Sequence, residues 1–199
     1  MDLLDRVSGH FSASIELKIQ AMPRLVPSTV KAGRLLVTCL QQKRKILSCG
    51  NGGSADQAQH FAAELINRFE KERPGLPAIA LTTDTSALTS IANDSVFEQI
   101  FARQVQALGQ LGDVLLALTT SGESPNLLKA IEIAHQQRML VVLLNGRNGG
   151  QAAQLLKEND VEIRVPSKST ARIQEVHLLI IHCLCDIIDE LLIATESKV

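Results

Sequence analysis

Five short apolar runs, rich in β-branched residues, most constrain what this chain can fold into. They lie at 45–49, 77–81, 113–120, 140–145 and 161–165. Most lack polar alternation, the pattern of strands covered on both faces by helices. Helical periodicity separates them, over roughly 54–70, 94–108, 124–137 and 148–157. This alternation predicts an open α/β fold: a five-stranded parallel sheet flanked by helices, with right-handed crossovers. No repeat, low-complexity tract or linker interrupts it. The expectation is one domain over 1–199, divided into an N-terminal helical segment (1–42) and an α/β core with a C-terminal helix (43–199).

In the N-terminal segment Leu4, Val7, Phe11, Ile15 and Ile19 recur at helical spacing. Pro23 and Pro27 then predict a break, and Ser28 is placed to cap a second helix carrying Val30, Leu35, Leu36, Cys39 and Leu40. The last helix, about 170–193, contains "HLLIIHCLCDIIDELLI", apolar around most of its circumference. Such a helix is buried on several sides, and in a chain this short that predicts a subunit interface. Net charge is −1, Trp and Tyr are absent and Phe numbers five. There is thus no general basic surface for nucleic acid and little material for stacking on bases. Three of the four cysteines (Cys39, Cys49, Cys183, Cys185) sit in apolar runs, and none forms a CxxC, which reads as reduced thiols. The start lacks a signal-peptide pattern, and no uncharged run reaches the ~18–20 residues of a bilayer span. The expectation is a soluble cytoplasmic domain with neither membrane nor nucleic acid as a direct partner.

The first run leads straight into "GNGGSADQAQHFAAEL". Gly50, Gly52 and Gly53 allow a sharp turn and close ligand approach. Ser54 with Gln57 three residues on makes a capping-box pattern. Free N–H groups at a helix start attract anions, so the turn is a candidate cradle for phosphate or sugar oxygens. A dinucleotide site is disfavoured. Its acidic residue falls about 20 residues past the glycines, whereas the first acid after the second strand is Asp84, 34 residues past Gly50. The third run ends in "LTTSGESPNLLKA", placing the hydroxyls of Thr119, Thr120, Ser121 and Ser124 together, with Ser124–Pro125 as an N-cap and N1 proline. In a sheet of order 2-1-3-4-5, strands one and three are neighbours at the topological switch point, and both loops open into one crevice.

His60 and Glu64, spaced i, i+4, share a helix face. Gln174, Glu175, His177 and His182 interrupt the apolar last helix, where a polar group needs a partner. His182, between Ile181 and Cys183, looks the least comfortably placed of the five histidines. His10 and His135 read as surface residues, and Asn93–Asp94 as a turn or N-cap.

Taken together, "CGNGGSADQAQHFAAEL", "ALTTSGES" and "RIQEVHLLIIH" resemble the sugar isomerase (SIS) domain family, specifically the phosphoheptose isomerases, over nearly the whole chain. The resemblance implies a flavodoxin-like strand order and a homotetramer. It implies conversion of sedoheptulose 7-phosphate to D-glycero-D-manno-heptose 7-phosphate in lipopolysaccharide precursor synthesis, and often one bound zinc per subunit. By motif, Asn51, Gly52 and Gly53 correspond to the sugar-contacting turn, and Asn93 and Asp94 to a second substrate-contacting pair. Thr119, Thr120, Ser121 and Ser124 correspond to the phosphate loop, and His60, Glu64, Gln174 and His182 to zinc-ligand positions. Three departures stand out: Thr119 and Glu123 replace a Ser and an Asn of the phosphate loop, and Ala171 stands where some members carry Asp. "AQHFAA", "INRFE" and "HCLCDIID" also resemble a related SIS scaffold that binds the bacterial replication initiator, which makes that initiator a partner to consider. Glu64 and His182 favour the enzyme, with Glu64 expected as base and His182 as acid. Zinc ligation is the weaker expectation. Gln174 and His182 are eight residues apart, ~12 Å along a helix, and glutamine is a poor zinc ligand.

Overall fold

The computed structural model describes residues 2–196. Its elements, in chain order, are α1 (Leu3–Gln41), β1 (Ile46–Gly50), α2 (Gly53–Ile66), β2 (Ala78–Ala80), α3 (Thr85–Asp94), a 3-10 turn (Phe97–Gln99), α4 (Ala102–Leu108), β3 (Val114–Leu118), α5 (Pro125–Gln136), β4 (Leu140–Gly146), α6 (Gly150–Leu155), β5 (Val161–Val165) and α7 (Thr170–Glu196). The sheet order is β2-β1-β3-β4-β5, parallel throughout. Each predicted apolar run therefore coincides with a strand to within a few residues, and β1 and β3 are neighbours as expected.

The unalternating runs bury both faces. From β1, β3 and β4, Ile46, Val114, Leu116, Val142 and Leu144 point into a core shared with α1, α2 and α7. Their neighbours Leu47, Cys49, Leu115, Ala117, Val141 and Leu143 point into a second core under α4, α5 and α6. Burial pushes the thiols of Cys39, Cys49 and Cys185 up to about 12, so they stay protonated packing groups. Among the described residues no helix is long and apolar enough to cross a membrane.

The N-terminus departs from expectation. Pro23 and Pro27 lie inside one continuous 39-residue helix. An internal proline removes a backbone bond and costs about 3 kcal/mol. Both prolines face solvent, where water can satisfy the freed carbonyls, while Ala21, Leu25, Thr29, Ala32 and Leu36 anchor the opposite face. Ser28 is therefore no cap; its hydroxyl donates back to Arg24 O. Asp2 caps the helix instead, accepting from Leu4 N. The predicted helix at 94–108 is also redistributed: α3 ends at Asp94, and α4 begins at Ala102. Asp84 caps α3 through Ala87 N, so Asn93 and Asp94 occupy a helix C-terminal end, not an N-cap.

Candidate active site

The β1–α2 turn is made by backbone, not by a side-chain cap. Gly52 occupies the N-cap position of α2 at φ +55, and Ser54 lies buried one step inside the helix. The capping-box expectation fails because only glycine adopts this left-handed corner without strain. Gln57 reaches across to α7 instead, donating to Gln174 O at 2.7 Å. The Gln174 side chain lies against the turn: a Cβ on Gly53 would stand 2.7 Å from its Nε2.

The β3–α5 loop is shaped by Thr119, whose buried Oγ1 accepts from the backbone N–H groups of Ser121 (3.3 Å) and Gly122 (3.1 Å). Ser121 Oγ accepts from Glu123 N. Ser124 is the N-cap of α5 and Pro125 its first residue, as expected, but the Ser124 side chain makes no capping bond. A second loop braces this one. Ala152 N donates to Gly122 O at 2.9 Å, and Glu123 accepts from both the backbone and the side-chain amide of Gln151. The carboxylate that replaces asparagine here is thus engaged with the start of α6.

The two loops are joined directly. Asn51 and Asn126 exchange both side-chain amide bonds, at 2.9 and 2.8 Å, with Asn126 buried. Asn126 escaped the sequence reading; its position in the first turn of α5, opposite a polar glycine turn, was the available signal.

Further along α2 from the glycine turn, α2 and α7 bring three predicted residues together. His60 Nε2 lies 3.0 Å from His182 Nε2 and 3.5 Å from Glu64 Oε1. One imidazole must donate and the other accept, so the pair shares a proton along that line. Phe69 stacks on His182 with ring centroids 5.6 Å apart. The His60 and Glu64 side chains are 40% and 22% exposed, so the cluster is open to a ligand.

Other predicted residues fall elsewhere. Asn93 and Asp94 are exposed and bond to each other. Ala171 lies exposed in the first turn of α7. Glu175 accepts from Ser14 of α1 and pairs with Arg172. His10 is exposed as expected, whereas His135 is largely buried and paired with Asp160 at 2.7 Å. The least comfortable histidine is His177, not His182. His177 is fully buried, donates from Nε2 to Asn145 O, and leaves Nδ1 without a partner. Burial lowers it to about 4. Among the described residues no group of three or more His, Cys, Asp and Glu is arranged to hold a metal ion.

A parallel sheet of this order, with a glycine turn and a hydroxyl loop meeting at its switch point, is a doubly wound α/β domain with a candidate ligand crevice at the carboxyl ends of β1 and β3. Residues 10–146 match the SIS domain, and the chain belongs to that family. It is 60% identical to the phosphoheptose isomerase of Thiobacillus denitrificans over 99% of this chain and all of that one. Among solved structures it resembles phosphoheptose isomerase GmhA from Neisseria gonorrhoeae (51% identity, 95% of this chain and 100% of that one, TM-score 0.91). It also resembles a phosphoheptose isomerase from Francisella tularensis (49% identity, 96% and 100%, TM-score 0.93).

Proposed function

We propose that this chain is a phosphoheptose isomerase, converting sedoheptulose 7-phosphate to D-glycero-D-manno-heptose 7-phosphate, a precursor of the heptose of lipopolysaccharide. Full-length identity of about 60% to enzymes of that name supports the activity. The observation that carries the chemical reading is the convergence of His60, His182 and Glu64 across α2 and α7, with α2 starting at the glycine turn that is joined to the hydroxyl loop.

The loop at Thr119, Thr120, Ser121 and Ser124 takes the phosphate through hydroxyls and backbone N–H groups. The turn at Asn51, Gly52 and Gly53, with Gln174 against it and Asn93 and Asp94 as further contacts, orients the sugar. Remote anchoring spends binding energy on holding the reacting carbons in place. Glu64 carboxylate removes the C1 proton as His182 supplies one to the C2 oxygen, giving a neutral enediol. His182, having given up its proton, takes the O1 proton as Glu64 returns its own to C2, yielding the aldehyde and restoring both side chains. His60 holds the His182 ring and shares its proton.

The donor types fit zinc: two imidazoles facing nitrogen to nitrogen and a nearby carboxylate, with a proton where a cation could replace it. His60, Glu64 and His182 would hold the ion, with Gln174 as the remaining family position. Zinc there would supply polarisation of the sugar oxygens. Elemental analysis of protein purified without added metal checks this; no stoichiometric metal removes it.

A homotetramer in the cytoplasm completes the proposal. Val7, Phe11, Ile15, Ile19, Met22 and Val26 form an exposed stripe along α1, continuing into a cleft of about 440 Å³ against Leu179, Cys183 and Ile187 of α7. Monomers rarely expose an apolar patch of this extent. The activity test is direct: purified protein is incubated with sedoheptulose 7-phosphate and the aldose quantified. No conversion, combined with tight binding to the replication initiator, would replace the enzyme reading with the scaffold.

A further inference from the structure

The segment between α2 and β2 folds back on the end of the helix that carries His60 and Glu64. A helix leaves its last four carbonyls without intrahelical partners. Here Arg73 takes two of them: Nη2 donates to Glu64 O at 2.9 Å, and Nη1 to Leu65 O at 2.9 Å, with longer contacts to Asn67 O and Pro74 O beyond the helix. Leu76 N adds a bond to Leu65 O. Gly75 passes so close that a Cβ there would stand 2.5 Å from Ile66 O.

The same guanidinium reaches α7. Arg73 Nε donates to Asp189 Oδ1 at 2.5 Å, and the two side chains are only 3% and 2% exposed. Asp189 lies two turns beyond His182 on that helix. Cys185, whose thiol feels Glu64, Asp189 and Arg73, sits among them and stays protonated. Burying an ion pair costs desolvation that hydrophobic packing would avoid, so this one calls for a reason beyond stability. Arg73 fixes the end of α2 against α7, the two helices whose side chains must meet at 3.0 Å. It also closes the loop that lays Phe69 on His182.

We infer that Arg73 and Asp189 are positioning residues: a buried clamp that sets the spacing of His60 and Glu64 on α2 relative to His182 on α7. The fork geometry of arginine is required, because one side chain must reach two helix-end carbonyls and a carboxylate at once. Neither residue touches the sugar in this reading. The inference rests on the proposed isomerase chemistry for its kinetic readout only.

The test uses Asp189→Asn, which keeps the shape and one acceptor but removes the charge, and Arg73→Lys, which keeps the charge but loses the fork. In both, kcat on sedoheptulose 7-phosphate falls by about ten- to a hundredfold, as expected for an ångström-scale misplacement of reacting groups. KM stays within about twofold, because the phosphate loop is built on β3 and α5, away from the clamp. The imidazole ¹⁵N resonances of His60 and His182 shift from their wild-type positions in both variants. Unchanged kcat and unchanged imidazole resonances, with only a lowered melting temperature, would overturn the clamp and leave a purely structural ion pair. Should Asp189→Asn fail to fold, Arg73→Lys carries the same two readouts. A wild-type chain without turnover refutes the isomerase reading alone, and the imidazole spectra still decide whether the clamp sets the histidine pair.

Discussion

Replacing Gly122 by alanine tests how far the phosphate loop depends on the loop behind it. Gly122 sits at φ +73, where an L side chain costs about 1–2 kcal/mol. Its Cβ would stand 2.0 Å from Gly149 O and 2.6 Å from Gly149 C. Both atoms are backbone, so no rotamer change relieves the contact, and the two loops must separate by roughly 1 Å to restore van der Waals distance. That movement breaks the bond from Ala152 N to Gly122 O and strains the one from Gly122 N to Thr119 Oγ1, each worth about 1 kcal/mol net. The sum is about 2–4 kcal/mol, large against a typical total of about 5–15 kcal/mol but survivable. Urea unfolding should show a lower midpoint at unchanged slope, the signature of lost stability without a changed unfolded state. Because Thr119, Ser121 and Ser124 move with the loop, KM for the sugar phosphate should rise by about tenfold or more, with kcat less affected. A variant with wild-type midpoint and wild-type KM would refute the interlock and the assignment of the phosphate to this loop.

Glu64→Gln should lower kcat by about 10²–10⁴-fold, the range for loss of a general base, while its melting temperature stays near wild type. The carboxylate is partly exposed and only 3.5 Å from His60, a pair worth less than about 1 kcal/mol; near wild-type turnover would remove it from the mechanism. His177 makes the fold acid-sensitive. Its folded pKa, lowered by burial to about 4, lies below the ordinary value of about 6.5. The unfolded chain therefore binds a proton that the folded chain refuses. The contribution is fully present above pH 6.5 and is lost as pH falls toward 4, on the order of 3 kcal/mol. In His177→Gln, urea stability measured at pH 7, 5.5 and 4.5 should decline less steeply; an identical slope would assign the acid sensitivity elsewhere.

The strands and both loops of the candidate site were legible as patterns; the order of the sheet followed from the family resemblance. A parallel sheet buries both faces, and this burial writes itself into continuous apolar runs such as 140–145. Glycine turns and the Ser124–Pro125 pair report local backbone conformation, and His60 with Glu64 needed only the helical period to share a face. Two readings failed where tertiary packing outweighed local preference. Pro23 and Pro27 were absorbed because their side of α1 faces water while the other is pinned to the core. Ser54 lost its cap because Gly52 turns the chain two residues earlier.

Pairings across long sequence separations had no such signature. The Asn51–Asn126 amide exchange, the meeting of His60 with His182, and the Arg73–Asp189 clamp each join residues 75 or more positions apart. Each depends on where two helices cross, to within an ångström. Asp189 passed unremarked in the sequence although a carboxylate in an apolar helix is costly when unpaired, and nothing local said that its partner was Arg73. Periodicity and turn chemistry act over a few residues and are therefore written in order along the chain. Distances between side chains on different elements are set by packing of the whole core, and only the folded molecule holds that information.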